Sequence, residues 1–140
     1  MDSKQAPEHG GGCHCGDVRF SVEVDATKGS RCNCTVCTKV GVTSAIVKPA
    51  AFQLLSDPGR LSTYEWGAKI SQRYFCKRCG VHAFARGRLA ELGGDYVSVN
   101  LNCVDDIDMC DVAVSYWDGR HDNWEGGPRG TPWPIAVSAD

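Results

Sequence analysis

The chain has no excess of basic charge: 15 lysines and arginines stand against 17 aspartates and glutamates, a net charge of −2. Nucleic-acid binding normally leaves a clear basic footprint, so nucleic acid is not an expected partner. Long apolar runs are also missing, and no stretch approaches the roughly 18 residues that a membrane span requires. The polar segment Met1–Gly12 lacks the apolar stretch of a secretory signal. A soluble, cytoplasmic protein with no membrane partner is therefore expected. No window sustains a helical apolar stripe, and no repeat, low-complexity tract or linker divides the 140 residues. One domain over 11–140, preceded by a flexible segment over 1–10, is the expected organisation.

What the sequence has instead is cysteine. Nine of them make an odd number, which would strand one thiol in a pure disulfide framework. Seven fall in three tight clusters: Cys13 and Cys15, then Cys32, Cys34 and Cys37, then Cys76 and Cys79. Neighbours in a C-x-C pair rarely meet disulfide geometry with each other, whereas such spacing brings sulfurs to one ion. Metal ligation is the better reading, with zinc as the ion and two ions per chain.

Strand-type patterning covers most of the remainder. Alternation, or enrichment in β-branched and aromatic residues, marks Val18–Val24, Ser44–Lys48, Leu61–Trp66, Gln72–Cys76, His82–Arg86, Tyr96–Leu101 and Val112–Trp117. Turn chemistry separates them at Asp25–Gly29, Ser56–Gly59, Gly93–Asp95 and Asp118–Gly119. An all-β fold built from antiparallel sheets follows, with room for a short helical turn after Cys34 or over Val104–Cys110. The tail Gly126–Pro134 carries prolines that cannot donate to a ladder, so it should wrap the surface or cover a sheet edge.

On this scaffold the clusters differ. Cys13, Cys15, Cys76 and Cys79 make two pairs about 60 residues apart, which suits a closed four-thiolate site stapling distant segments. Cys32, Cys34 and Cys37 supply three sulfurs and leave one tetrahedral position for an exchangeable ligand, the pattern of catalytic zinc. A fourth protein ligand from Cys103, Cys110, His14 or His82 would close that site, and the clusters can also be shared differently between two ions. Spacing leaves these alternatives open.

The runs Gly12–Phe20, Cys32–Lys39 and Phe75–Gly80, together with Val97–Asn100, Val104–Asp106 and the tryptophan-containing end, resemble the glutathione-dependent formaldehyde-activating enzyme family. The resemblance covers roughly residues 10 to 125. It implies a zinc-bearing, tent-like complex β fold, with Cys13, Cys15, Cys76 and Cys79 on a structural ion and Cys32, Cys34 and Cys37 on a catalytic one. After Cys37 the chain reads Thr38-Lys39-Val40-Gly41, where that family tends to have an arginine and a Ser-Gly pair. The Cys32–Lys39 run, Tyr116–Gly119 and Asn123–Glu125 look closer to the centromere protein V-like branch.

The expected activity is a zinc-dependent carbon–sulfur lyase acting on an adduct of glutathione, or another thiol, with a small electrophile such as formaldehyde. Three thiolates weaken the Lewis acidity of the dication and favour soft sulfur in the open position. The alternative is a non-enzymatic zinc-binding module for protein or ligand binding. Lys39, Lys48, Arg73, Lys77 and Arg78 are candidate partners for ligand carboxylates, Lys39 being nearest the open site in sequence. Trp124 is the tryptophan placed to line a pocket, and His82 is a candidate acid–base group or ligand.

Seven clustered cysteines should hold two zinc ions per chain, and chelation should unfold the domain because metal affinity is coupled to folding. Metal analysis of purified protein, read beside circular dichroism before and after chelator, checks both; a content of one ion or none would count against the assignment.

Overall fold

The computed structural model describes residues 6–66 and 71–136, which form two sheets and one short helix. Residues 67–70, between the expected strands Leu61–Trp66 and Gln72–Cys76, lie outside the described residues. The smaller sheet has the order β1-β2-β5, with β1 Glu8–Gly12, β2 Arg19–Glu23 and β5 Phe52–Leu54, all antiparallel. The larger has the order β10-β3-β4-β9-β8-β7-β6. Its members are β3 Lys28–Cys32, β4 Ser44–Val47, β6 Leu61–Tyr64, β7 Ser71–Cys76, β8 His82–Leu89, β9 Gly94–Asn100 and β10 Ala113–Trp117.

Strand alternation explains how the sheets meet. Val18, Phe20, Val22 and Val24 lie at period two along β2 and its flanks and are all buried. They pack with Phe84, Val97 and Val99 from the larger sheet, and with Leu101 just beyond β9, in one hydrophobic cluster. An aromatic chain crosses the interface, with Phe20 and Phe52 centroids 5.3 Å apart, Phe52 and Phe84 4.6 Å, and Phe84 and Tyr74 4.8 Å.

The seven strands expected from patterning all form, and three more appear. β1 begins at Glu8, so residues 8–10 pair in a sheet rather than forming part of a flexible segment over 1–10. It was hidden because Gly10, Gly11 and Gly12 carry no strand propensity. β3 begins at Lys28, inside the stretch expected to turn, because the Asp25 carboxylate accepts from the Thr27 amide at 3.0 Å and completes the turn early. The sheets are not wholly antiparallel: β10 runs parallel to β3, which requires a long crossover and leaves no local sequence signal. The helical turn expected after Cys34 is α1, Thr35–Val40, ended by Gly41 at φ 74°. Over Val104–Cys110 the chain turns at Asp105–Asp106 and is helical only at its end, in a 3₁₀ segment at Met109–Asp111. The tail covers an edge: Arg129 bridges to Tyr116 of β10, and the Trp133 indole donates to the Tyr116 carbonyl at 2.9 Å.

Gly11 marks how closely the sheets approach. A Cβ there would stand 2.5 Å from the Cys103 carbonyl and 2.6 Å from the Phe20 ring. Gly11→Ala should therefore destabilise the domain by about 1–3 kcal/mol, the usual cost of overpacking. Thermal unfolding of the metal-loaded protein reads this, and an unchanged midpoint would show that the contact is looser than described.

Candidate metal centres and the adjoining cleft

Two tight turns bring the first four sulfurs together. Cys13 and Cys15 sit in the β1–β2 connection, closed by the Cys13 amide donating to the Val18 carbonyl at 3.0 Å, with Gly16 at φ 89°. Cys76 and Cys79 sit in the β7–β8 connection, where the Gly80 amide donates to the Cys76 carbonyl at 2.9 Å and Gly80 takes φ 78°. The Cys15 sulfur lies 3.6 Å from those of Cys13 and Cys76. Four ligands placed tetrahedrally about 2.3 Å from zinc stand about 3.8 Å apart, so the spacing fits a zinc-sized cation and is far too long for a disulfide. The Val18 amide points at the Cys13 sulfur, and the amides of Cys79 and Arg78 donate to the Cys76 sulfur and pull its thiol down toward the thiolate form.

The second group forms where β3 runs into α1. Cys32 ends the strand, Cys34 occupies the helix N-cap and Cys37 lies one turn in. Their three sulfurs lie within 4.8 Å of one another, and among the described residues no other Cys, His, Asp or Glu joins them. The donor set is soft and fits a zinc-type ion. Hydrogen bonds from Cys32 and Cys37 hold the Cys34 thiol far below its ordinary range, helped by the charge of Arg73. The same sharing pushes Cys37 and Cys32 up. Within the trio the thiolate form is thus favoured at Cys34.

The candidates for a fourth ligand are all elsewhere. Cys103 is buried with its sulfur 3.7 Å from the His82 carbonyl and 3.6 Å from the Asn100 side chain. Burial pushes its thiol up to about 11. His14 and Cys110 are exposed and belong to neither group, and His82 presents its ring to a neighbouring cleft.

A polar network clamps the trio. Parallel pairing sets Trp117 opposite Cys32, which brings Asp118 beside Asn33. Buried Asp118 accepts from the Asn33 side chain at 2.8 Å and pairs with the His121 ring at 2.7 Å. Desolvation pushes the Asp118 carboxyl up, but hydrogen bonds from Asn33, His121 and Asn123 outweigh it and hold the group below its usual range. The Arg120 amide donates to the Asn33 side-chain oxygen at 2.9 Å, while its guanidinium Nε donates to the Asn33 carbonyl at 2.9 Å. Sequence reasoning missed this clamp; its signal was an asparagine set between two ligands.

On the Cys37 side, Arg73 of β7 donates from Nη2 to the Cys37 sulfur at 3.7 Å, and its buried Nε has no partner among the described residues. Beside it opens a cleft of about 530 Å³ between α1 and the β6–β8 face, lined by Val36, Lys39, Tyr64, Trp66, Phe75 and His82, with Thr35 and Val40. Burial, and then the charge of Arg73, depress the His82 pKa, so its ring is neutral at pH 7. The ring stacks on Phe75 with centroids 5.1 Å apart.

Of the basic candidates, Lys39 and Arg73 stand at this site. Lys48 instead donates to the Leu92 carbonyl at 2.7 Å, and Arg78 lies 3.9 Å from Asp17 by the four-sulfur turn. Lys77 belongs to that same turn. Trp124 is not on this cleft's lining: it packs on Trp117 at 6.0 Å, and a Cβ at Gly119 would stand 2.5 Å from the Cys32 sulfur and 2.9 Å from the Trp124 ring.

Comparison with known proteins agrees with this architecture. A curated Emericella nidulans protein named "putative glutathione-dependent formaldehyde-activating enzyme" is 30% identical over 111 residues, covering 71% of this chain. The chain spans 56% of the length of that relative. A crystal structure of a Rhodobacter sphaeroides protein superposes with a TM-score of 0.67 at 24% identity, covering 77% of this chain and 98% of that one, and so shares the fold. The sequence profile of the glutathione-dependent formaldehyde-activating enzymes matches residues 8–120, most of the chain, and the protein therefore belongs to that family.

Proposed function

We propose that the protein is a zinc-dependent carbon–sulfur lyase that makes or breaks the bond between a thiol such as glutathione and a small electrophile such as formaldehyde. The observation that carries this reading is the contrast between the two sulfur groups. One has four members, whereas Cys32, Cys34 and Cys37 stand as three, with no fourth ligand-type side chain among the described residues. A zinc ion held by the trio would supply a soft position that favours thiolate sulfur over hydroxide.

The chain's own residues complete the site. The Arg73 guanidinium beside Cys37 offsets the negative charge of the trio. Neutral His82 accepts the proton that a thiol gives up on entering the cleft. The Lys39 ammonium pairs with a carboxylate of a glutathione-like ligand, and Trp124 flanks the bound ligand on the Cys32 side. In the synthetic direction sulfur bonds to the carbonyl carbon, the carbonyl π pair moves to oxygen, and oxygen takes a proton; cleavage reverses each change. Atoms and charge balance with no oxidant or reductant. A cytoplasmic location fits this chemistry, since a reducing compartment keeps nine free cysteines reduced and supplies glutathione. No helix among the described residues is long and apolar enough to cross a membrane.

Cobalt in place of zinc makes the trio visible. Added glutathione should shift its bands toward those of a four-sulfur site, and Cys34→Ser should lose both one metal per chain and that response. Cys103→Ala should leave the spectrum unaltered, because the Cys103 sulfur sits against the His82 carbonyl rather than in the trio. A four-sulfur spectrum at both sites before any thiol is added, unmoved by glutathione, would sink the lyase reading and leave a zinc-binding module.

A further inference from the structure

The cleft beside Cys37 is larger and more apolar than formaldehyde needs. Register places its wall. Tyr64 of β6 is the direct partner of Arg73, and Phe75, two residues on from Arg73, is the partner of His82. Directly opposed residues share a face, as do residues two apart. Arg73, Tyr64, Phe75 and His82 therefore all present toward α1. On α1, Val36 and Lys39 flank Cys37 in sequence and line the same cleft. The Arg73–Cys37 contact makes this aromatic wall continuous with the sulfur trio.

The wall is also open to ligand. Tyr64 is 51% exposed and Trp66 46%, in a chain with only 12 aromatic residues, and large aromatics left uncovered together mark a binding surface. Its volume, about 530 Å³, lies within the range of small-molecule sites. Lys39 is the one permanently charged side chain on its lining. Glutathione, by contrast, carries two carboxylates and an ammonium, so this wall is poorly matched to its polar ends. Formaldehyde would add one carbon to the thiol and leave the aromatic face uncovered.

We infer that the electrophile is an aldehyde bearing an aryl or similarly large apolar group, and that the Tyr64–Trp66–Phe75 wall beside Cys37 binds that group; the inference rests on the carbon–sulfur lyase reading above. The step is the addition of a thiol to an aryl aldehyde. A carbon–sulfur bond forms, the carbonyl π bond becomes a C–OH group, and the thiol proton is the one gained by oxygen.

The test compares two stable thioethers, S-benzylglutathione and S-methylglutathione, by calorimetry on the zinc-loaded protein. Covering one phenyl ring should tighten binding by about tenfold or more. Trp66→Ala and Tyr64→Ala, both on exposed side chains, should bring the ratio of the two affinities toward one, with circular dichroism confirming the fold. Equal affinities in the unaltered protein, or a ratio that both variants leave intact, would overturn the inference and assign the wall to another occupant such as a peptide or a second copy of the chain. Turnover is then measured with glutathione and either benzaldehyde or formaldehyde. Preference for benzaldehyde supports the inference. Activity with formaldehyde alone overturns it while leaving the lyase reading standing. No activity with either aldehyde, together with a cobalt spectrum that ignores glutathione, overturns both.

Discussion

Two hairpin turns, one from each sheet, meet at the sulfurs of Cys13, Cys15, Cys76 and Cys79, and the rest of the molecule depends on that meeting. The smaller sheet has three short strands, and beyond its own ladder β1 bonds to the Val104–Asp106 segment, through the Gly11–Val104 bridge and the Asp105 amide donating to the Gly10 carbonyl at 2.9 Å. Its attachment is the packing of Phe20, Val22 and Phe52 on the larger sheet and the four sulfurs at the end of the interface. In a domain of this size a core alone supplies limited stability, and a metal staple is a common supplement. The turns are shaped for that role by glycines at positive φ and by amides aimed at sulfur.

The same larger sheet carries the three-sulfur group, but by different means. Cys32, Cys34 and Cys37 are close in sequence, and their arrangement is set from outside by β10. Its parallel register delivers Asp118 to Asn33, Arg120 to the Asn33 carbonyl and Gly119 to the Cys32 sulfur. Each buried polar group in this clamp has a partner, so the loop bearing the trio is held without an unpaired cost. A rigid trio with an accessible side is what thiol chemistry needs, because ligand exchange should not rearrange the protein ligands.

A bulge in the β7–β8 pairing shapes the cleft. Tyr74 pairs with Phe84, yet Phe75 pairs with His82, so Ala83 is the extra residue. In a regular strand His82 and Phe84, two residues apart, would share a face. The bulge lets Phe84 join the core while His82 turns to the cleft beside Phe75 and within reach of the charge of Arg73. The break in register thus separates a core aromatic from a candidate proton acceptor.

By itself the sequence determined the β-rich class, the seven strands with apolar alternation and the division of seven cysteines into a 2+3+2 pattern, and it offered the helix after Cys34 as one of two places for a helical turn. These are local properties, written in period, turn residues and ligand spacing. It also named Arg73, but among five basic residues of which only Lys39 was singled out, by its nearness to the trio in sequence. Only the tertiary structure decided the rest. The glycine-rich β1 forms because Gly11 is needed under Phe20, a contact with no local trace. The parallel β3–β10 pairing, and with it the Asp118 clamp, joins segments more than 80 residues apart. Cys103, equally placed in sequence to close the trio, is kept away by its contacts with Asn100 and His82. Lys39 and Trp124, both read as ligand contacts, do not line the same cleft, because one rides on α1 and the other follows β10 and packs on Trp117. Register, bulges and long crossovers are global choices, fixed by which faces can bury together, and no window of sequence contains them.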